Sequence, residues 1–172
     1  MLTINGDSTP VRICMGMGDT TMNDRHKTFM ALALKEAKKA GQMDEVPIGA
    51  VLVSESGGLL SVAHNRTIAS ADPTAHAEIL ALREGSRKLS NYRLLNTILY
   101  VTVEPCIMCM GAILHARVST LIFGAPDPRW GAVGSVYNFA NDKRFNHQPK
   151  IISGICRDQC AALMREFFRS KR

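Results

Sequence analysis

Apolar residues recur along the chain with two different spacings. In residues 24–40 they return every three or four positions, which predicts an amphipathic helix that ends at Gly41. Later apolar runs are short and separated by turn residues, and Ser56-Gly57-Gly58 predicts a hairpin. The predicted strands are 46–53, 59–65, 97–103, 118–123 and 151–152; the further predicted helices are 74–89, 106–116 and 157–169, with a short helix near Val136.

The order of these elements predicts an α/β fold. The order α-β-β-α-β-α-β-β-α favours one mixed five-stranded sheet with helices on both faces, which is a three-layer α/β/α architecture. We expect residues 24–172 to form a single domain, because a chain of 172 residues can bury one sizeable core. Residues 1–23 lack the apolar core of a signal peptide and are expected to form a poorly ordered extension. No apolar run is long enough to span a bilayer, so no membrane partner is expected.

Cysteine usage and charge bear on location and partners. Five cysteines without a disulfide framework predict a reducing, cytoplasmic environment, and Cys156 and Cys160 are expected to be small core residues. The net charge is +6, and residues 141–172 contain eight basic and three acidic side chains. This distribution would suit a phosphate-backbone partner, although a solubilising tail would have the same composition.

Three candidate metal ligands fall in two short motifs. His76 precedes Glu78 by two residues, and Pro105 is followed by Cys106 and Cys109. Structural zinc sites normally have four protein ligands, whereas catalytic sites have three and leave a position for water. The sequence therefore predicts one catalytic Zn²⁺ per chain. We expect His76 in the first turn of one helix and Pro105 at the first position of the next.

Glu78 is the candidate catalytic residue. Zinc lowers the pKa of bound water to about 7. A carboxylate beside the metal can take a proton from that water, pass it to a ring nitrogen and assist the departing amine. General acid–base catalysis of this kind contributes about 10²–10⁴ in rate. Helix N-termini favour carboxylates and thiolates, because their N–H groups stabilise negative charge.

Each motif alone has a simpler interpretation. Cys-x-x-Cys is also a redox pair, and His-x-Glu is also two polar residues on a helix. A closed structural site is a further alternative, with a fourth ligand from His64, His115, Cys156 or Cys160. The combination in this order, with a proline before the first cysteine, favours catalytic zinc and is typical of zinc nucleobase deaminases.

Longer segments around these motifs resemble the bacterial tRNA-specific adenosine deaminases, which convert the wobble adenosine of an anticodon to inosine. The similar segments are 45–51, 65–66, 72–79, 91–94, 100–102, 104–106, 108–109, 111–112 and 123–125, with Asp127. The resemblance implies a cytidine deaminase-like fold, hydrolytic deamination with zinc-activated water, a homodimer, and a tRNA anticodon stem-loop as partner.

The resemblance also implies substrate contacts. Asn65 would hydrogen-bond the flipped nucleotide, and a turn-forming asparagine is the alternative. Val46, Pro47 and Ile48 would wall the base pocket, although a plain core strand would contain the same residues. The other implied substrate-binding residues are Ala77, Asp127, Phe167 and Phe168, of which Asp127 and the two phenylalanines would line the anticodon-loop groove.

One segment departs from the family pattern. Residues 126–130 contain two prolines and the only tryptophan of the chain, Trp130, where more polar residues are expected. Trp130 would either stack on an unpaired base or fill a dimer interface.

Two rival functions also follow from the sequence. One is a small-molecule deaminase of the guanine, cytosine or deoxycytidylate type; the other is a catalytically silent subunit with structural zinc, against which Glu78 argues.

Overall fold

The computed structural model describes residues 22–172, apart from the side chain of Met22. The expected poorly ordered extension therefore lies almost entirely outside the described residues, and its last two residues begin the first helix. The helices are α1 (Met22–Gln42), α2 (Ala77–Leu89), α3 (Ile107–Ala116) and α4 (Arg157–Ser170), with a 3₁₀ helix at Phe139–Asn141; the strands are β1 (Gly49–Ser54), β2 (Leu59–His64), β3 (Thr97–Val103), β4 (Thr120–Ala125) and β5 (Lys150–Ser153).

The five strands form one mixed sheet in the order β2-β1-β3-β4-β5. Strand β1 is antiparallel to both β2 and β3, whereas β3, β4 and β5 run parallel. Parallel neighbours require crossover connections, and α3 supplies the connection between β3 and β4. The predicted mixed five-stranded sheet is confirmed.

Helices cover both faces of the sheet. Alternate residues of each strand face opposite sides, so each strand contributes to two cores. One core joins the sheet to α2 and α3, and the other joins it to α1 and α4. The first contains Leu52, Leu99, Leu121, Met110 and Ile113; the second contains Val51, Tyr100, Ile122, Met30 and Cys160. The three-layer α/β/α architecture is therefore confirmed, and every residue of the central strand β3 is buried.

Strand β1 begins at Gly49, three residues later than the sequence predicts. The Ile48 N–H donates to the Val46 carbonyl at 2.7 Å, so these residues form a tight turn instead of continuing the ladder. Gly49 lies directly under α1, where a Cβ atom would be 2.0 Å from the Ala33 carbonyl oxygen. Residues 46–48 are thereby held at the end of the sheet and remain outside the strand.

Among the described helices, none combines the length and the apolar character needed to cross a membrane.

Candidate active site

The first metal-ligand candidate, His76, is the N-cap residue of α2, and the helix begins at Ala77. The sequence predicted a start near Thr74, which is wrong because Asp72 closes a separate turn. The Asp72 carboxylate accepts the Thr74 N–H at 2.8 Å and the Thr74 hydroxyl at 2.7 Å. The extended backbone of His76 then directs its imidazole away from the helix axis, toward α3.

Cys106 is likewise an N-cap residue, and α3 begins at Ile107. The prediction that Pro105 occupies the first helical position is therefore wrong. Pro105 instead takes part in a short pairing with a later segment: its carbonyl accepts the Ala132 N–H at 2.9 Å, and Cys106 forms a bridge with Gly131. Cys109 lies in the first turn of α3 and is buried.

The three predicted ligands lie together. The Nδ1 atom of His76 is 3.7 Å from the Cys106 sulfur and 3.5 Å from the Cys109 sulfur, and all three ligand atoms lie within 4.8 Å of one another. A tetrahedral zinc ion with Zn–N near 2.0 Å and Zn–S near 2.3 Å separates nitrogen from sulfur by about 3.5 Å. The donor set and its spacing thus fit Zn²⁺.

The cluster contains three candidate protein ligands. Among residues 22–172, the group of candidate ligands contains His76, Cys106 and Cys109 and no fourth side chain. His64, one proposed fourth ligand of a structural site, instead bonds to Glu36 at 2.9 Å. Three protein ligands are the number found in catalytic zinc sites.

Hydrogen bonding within the cluster shifts the pKa values of the two thiols in opposite directions. A hydrogen bond from Cys109 and the adjacent His76 lower the pKa of Cys106 to about 4. The same hydrogen bond and burial raise the pKa of Cys109. The pKa of His76 is raised by its contact with Cys106. Zinc requires both thiolates and a neutral imidazole, so its binding would displace the protons that this cluster holds.

Glu78 is buried beside these ligands, with 3% of its surface exposed. Burial raises the pKa of its carboxyl group to about 7. Its Oε2 atom is buried and has no hydrogen-bond partner within the described part of the chain. A buried carboxylate oxygen without a partner is costly, and such groups concentrate at functional sites. A pKa near 7 suits proton transfer in both directions at neutral pH.

Five of the predicted substrate contacts, namely Asn65, Ala77 and the turn of residues 46–48, are linked by hydrogen bonds to the backbone that follows His76. The side-chain oxygen of Asn65 accepts the Ala77 N–H at 2.9 Å, and the Asn65 N–H donates to the Ile48 carbonyl at 3.1 Å. Asn65 therefore joins the end of β2 to the start of α2, and it does not close a local turn. Through Asn65, the backbone of Ile48 is therefore linked to Ala77, the residue that follows His76.

Sequence reasoning missed the role of Glu104, a buried residue two positions before Cys106. Its carboxylate accepts the N–H groups of Asp127 at 3.1 Å, Val133 at 2.9 Å and Ser135 at 3.1 Å, and it also accepts the Ser135 hydroxyl. We call residues 126–135 the Glu104 loop. The available signal was a carboxylate between apolar Val103 and Pro105, where a charge is buried only with partners.

Glu45 is a second buried carboxylate that holds a loop through hydrogen bonds, and sequence reasoning also missed it. It is fully buried, and it accepts the Thr67 hydroxyl at 3.0 Å and the N–H groups of Ile68 and Ala69 at 2.8 Å each. The segment after Asn65 is thus attached to the residue that precedes the Val46 turn.

The remaining predicted contacts lie outside the metal cluster. Asp127 is half-buried in the Glu104 loop, and Phe167 and Phe168 lie near the end of α4. Lys171, just past α4, forms an ion pair with Asp44, which lies two residues before Val46. The end of α4 is therefore joined to the segment that leads into the predicted base-pocket wall.

Comparison with known proteins defines the class first. Residues 23–125 match the family model described as the cytidine and deoxycytidylate deaminase zinc-binding region. Together with the three-ligand cluster and the three-layer fold, this match defines a zinc-dependent deaminase.

Individual relatives then show to which family of zinc-dependent deaminases the chain belongs. The tRNA-specific adenosine deaminase of Haemophilus influenzae is 47% identical over 84% of this chain and 83% of its own length. A solved structure of a tRNA:A34 deaminase, from work on A-to-I editing at the wobble position of transfer RNA, is 46% identical with a TM-score of 0.77 and covers 79% of this chain and 98% of that chain. Guanine deaminase from Nitrosomonas europaea is 27% identical with a TM-score of 0.69, covering 82% and 83%. The chain belongs to the tRNA-specific adenosine deaminase family.

Proposed function

We propose that this protein deaminates the wobble adenosine to inosine in the anticodon loop of tRNA. The observation that carries the proposal is the His76–Cys106–Cys109 cluster with Glu78 buried beside it, in a chain 47% identical to a tRNA-specific adenosine deaminase. The guanine deaminase type shares the fold at lower identity, 27%. The comparison therefore favours the tRNA substrate over a free nucleobase.

The reaction needs water activation, which zinc would supply, and proton transfer, which Glu78 would supply. Zinc held by His76, Cys106 and Cys109 supplies Lewis-acid activation of water near neutral pH. Glu78 would accept a proton of the attacking water and deliver it to the purine ring nitrogen. It would then accept the second proton, from the hydroxyl group added to the ring carbon, and deliver it to the amino group, which leaves as ammonia while the carbonyl forms; Oε2 is its oxygen without a hydrogen-bond partner in the described part of the chain. Its pKa of about 7 supports both directions of transfer, and its burial keeps competing water away from the transferred proton.

Residues beside the cluster would hold the flipped base. Asn65, Ala77 and the turn of Val46, Pro47 and Ile48 are joined by hydrogen bonds in one frame that includes the backbone next to His76. Apolar walls with one or two polar groups are typical of small-ligand sites. An unpaired loop nucleotide enters such a pocket most readily, because little stacking is lost when it flips.

Contacts with the rest of the stem-loop are assigned to Asp127, Phe167 and Phe168. The basic side chains near the C-terminus extend from α4, and the Lys171–Asp44 ion pair places the end of this helix next to the pocket-wall segment. Phosphates that flank the reacting nucleotide would bind there, so that binding energy away from the base positions it for attack.

A homodimer in the cytoplasm is part of the same proposal. A groove of about 620 Å³ on the outer side of α2 and α3 is lined by apolar Ile79, Met108 and Ala112 and by cationic Arg83. A second copy of the chain would bury this surface. The cysteines among the described residues are free thiols, which suits a reducing compartment.

The deciding experiment compares single-turnover rates of deamination on four substrates: a stem-loop with a wobble adenosine, the same loop with cytidine, free adenosine and free guanine. We expect rapid reaction of the adenosine stem-loop and little reaction of the others. Preference for cytidine, or equal rates on a free base or nucleoside, would contradict the proposal.

A further inference from the structure

Trp130 is a large apolar side chain that the fold leaves exposed. It is the only tryptophan of the chain, and 63% of its surface is accessible. Among the described residues no other aromatic ring is paired with it, whereas Tyr137 and Phe145 in the following segment both pack against Phe139. Tryptophan is enriched at interfaces, where its ring contacts a partner, so this exposed indole is available to a partner from outside the chain.

The backbone that carries Trp130 is firmly held. The Asp127 carboxylate accepts the Trp130 N–H at 3.3 Å, and the Asp127 carbonyl accepts the Gly131 N–H at 3.0 Å. The Asp127 N–H in turn donates to Glu104. A Cβ atom at Gly131 would lie 2.5 Å from the Glu104 carboxyl carbon, so the loop rests directly on that side chain. The indole is therefore presented from a fixed backbone.

This backbone also adjoins the metal site. Gly131, the next residue, forms a bridge with the ligand Cys106, and Ala132 bonds to Pro105. Trp130 is thus one residue away from direct pairing with a zinc ligand. The adjacent Arg129 is exposed and provides a positive charge beside the indole.

We propose that Trp130 is the stacking surface for an unpaired base next to the deaminated adenosine, an inference that rests on the proposed function. When the reacting nucleotide flips into the pocket, its neighbour in the loop loses a stacking partner. An exposed indole next to the pocket replaces that partner, and Arg129 faces the connecting phosphate. A base and an exposed aromatic ring stack without regard to sequence, so Trp130 contributes affinity for a loop and no readout of base identity.

The first test uses Trp130 as its own reporter. Because the chain has one tryptophan, its fluorescence reports on this side chain alone. We expect quenching when zinc-loaded protein binds a wobble-adenosine stem-loop, and much weaker quenching with a stem-loop that has an abasic nucleotide beside the adenosine. Unchanged emission at saturating stem-loop, with inosine still formed, would overturn the Trp130 inference and leave the proposed function intact. If wild-type protein forms no inosine on the stem-loop, the proposed function itself fails.

The second test is kinetic. Stacking acts equally on bound substrate and transition state, so Trp130→Ala should raise KM by about 5- to 150-fold with kcat little changed, and Trp130→Phe should recover part of the loss. Leu95→Ala is the matched control, because Leu95 is an exposed apolar side chain before the opposite end of β3. If the Trp130→Ala change and the abasic nucleotide remove the same contact, the KM of Trp130→Ala should rise little further when the abasic stem-loop replaces the normal one.

The same variants show whether Trp130 contacts an RNA base or a second subunit. If Trp130→Ala dissociates a dimer in sedimentation experiments, Trp130 belongs to a subunit interface and the inference is wrong. Parental KM for Trp130→Ala would also overturn it. Zinc content is measured in parallel and should match that of the wild-type protein.

Discussion

The side-chain oxygen of Asn65 accepts the backbone N–H of Ala77 at 2.9 Å. The first N–H groups of a helix have no partner within the helix, and here one of them is satisfied from the end of β2. Ala77 lies between His76 and Glu78, so this single bond holds the candidate substrate contact, the candidate metal ligand and the proposed proton carrier in one frame.

Replacing Cys106 or Cys109 with serine should reduce bound zinc well below one equivalent per chain and lower the thermal midpoint, because metal binding contributes to folding. Metal analysis and thermal unfolding check both effects. Cys156→Ser is the matched control, since Cys156 lies at the start of α4 outside the cluster, and it should keep its zinc. Retained zinc and full activity in both ligand variants would disprove the assignment.

Glu78→Gln should retain zinc and stem-loop affinity but lose about 10²–10⁴ in turnover, because an amide cannot carry the proton. Single-turnover rates and equilibrium binding, measured on the same preparation, separate the two effects. Glu84→Gln on the exposed part of the same helix should behave like the parent. Activity of Glu78→Gln within tenfold of the parent would rule out the proposed role.

Deleting residues 167–172 should weaken stem-loop binding and reduce its salt dependence, because Arg169, Lys171 and Arg172 are lost together with two aromatic rings. A plot of the logarithm of the association constant against the logarithm of the salt concentration has a negative slope. Each lost phosphate contact should reduce the magnitude of that slope by about 0.7–0.9. The double variant Phe167→Ala/Phe168→Ala keeps the charges, so it should weaken binding at an unchanged slope. An unchanged slope in the truncated protein would mean that the tail only aids solubility.

His26 should make stability depend on pH. Burial, with Arg25 and Lys150 nearby, lowers its pKa from 6.5. Below pH 6.5 the unfolded chain therefore binds more protons than the folded one. The stability that neutral His26 contributes is present above this pH and is lost as pH falls through the lower folded pKa.

Urea unfolding between about pH 5 and pH 7.5 should show this loss in the parent and a flatter profile in His26→Phe. His26 Nδ1 and the Tyr100 hydroxyl are 2.9 Å apart. Tyr100→Phe, which removes that hydrogen bond but keeps the imidazole, should retain the slope. Parallel profiles for the parent and His26→Phe would contradict the prediction.

The parts of the fold that depend on local pattern were predictable from the sequence. Strand β3 has the predicted bounds, Thr97–Val103, because all its residues are apolar or accommodated in the core and turn residues flank it. The zinc ligands were also predictable, since their residue types and spacing reflect metal chemistry alone. The starts of α2 and α3 were misplaced, because His76 and Cys106 occupy N-cap positions without being typical capping residues.

Features that depend on distant partners could not be predicted in this way. Glu104 bonds to residues 23 to 31 positions away, and Glu45 to residues 22 to 24 positions away. No local periodicity marks such contacts. For Glu104 the only trace in the sequence is a carboxylate between Val103 and Pro105, which indicates burial with partners but does not identify them; Glu45 follows Asp44 and lacks even this signal.

The hydrogen bonds of Glu104 have an evolutionary consequence. They are made mostly to the backbone N–H groups of Asp127, Val133 and Ser135, which any residue except proline would supply at those three positions. The outward positions Pro126, Pro128 and Trp130 can therefore diverge without loss of the loop conformation. If the proposed contact of Trp130 with the loop holds, a lineage could change its contacts with the nucleotides around its target through these positions, while His76, Glu78, Cys106 and Cys109 stay as they are.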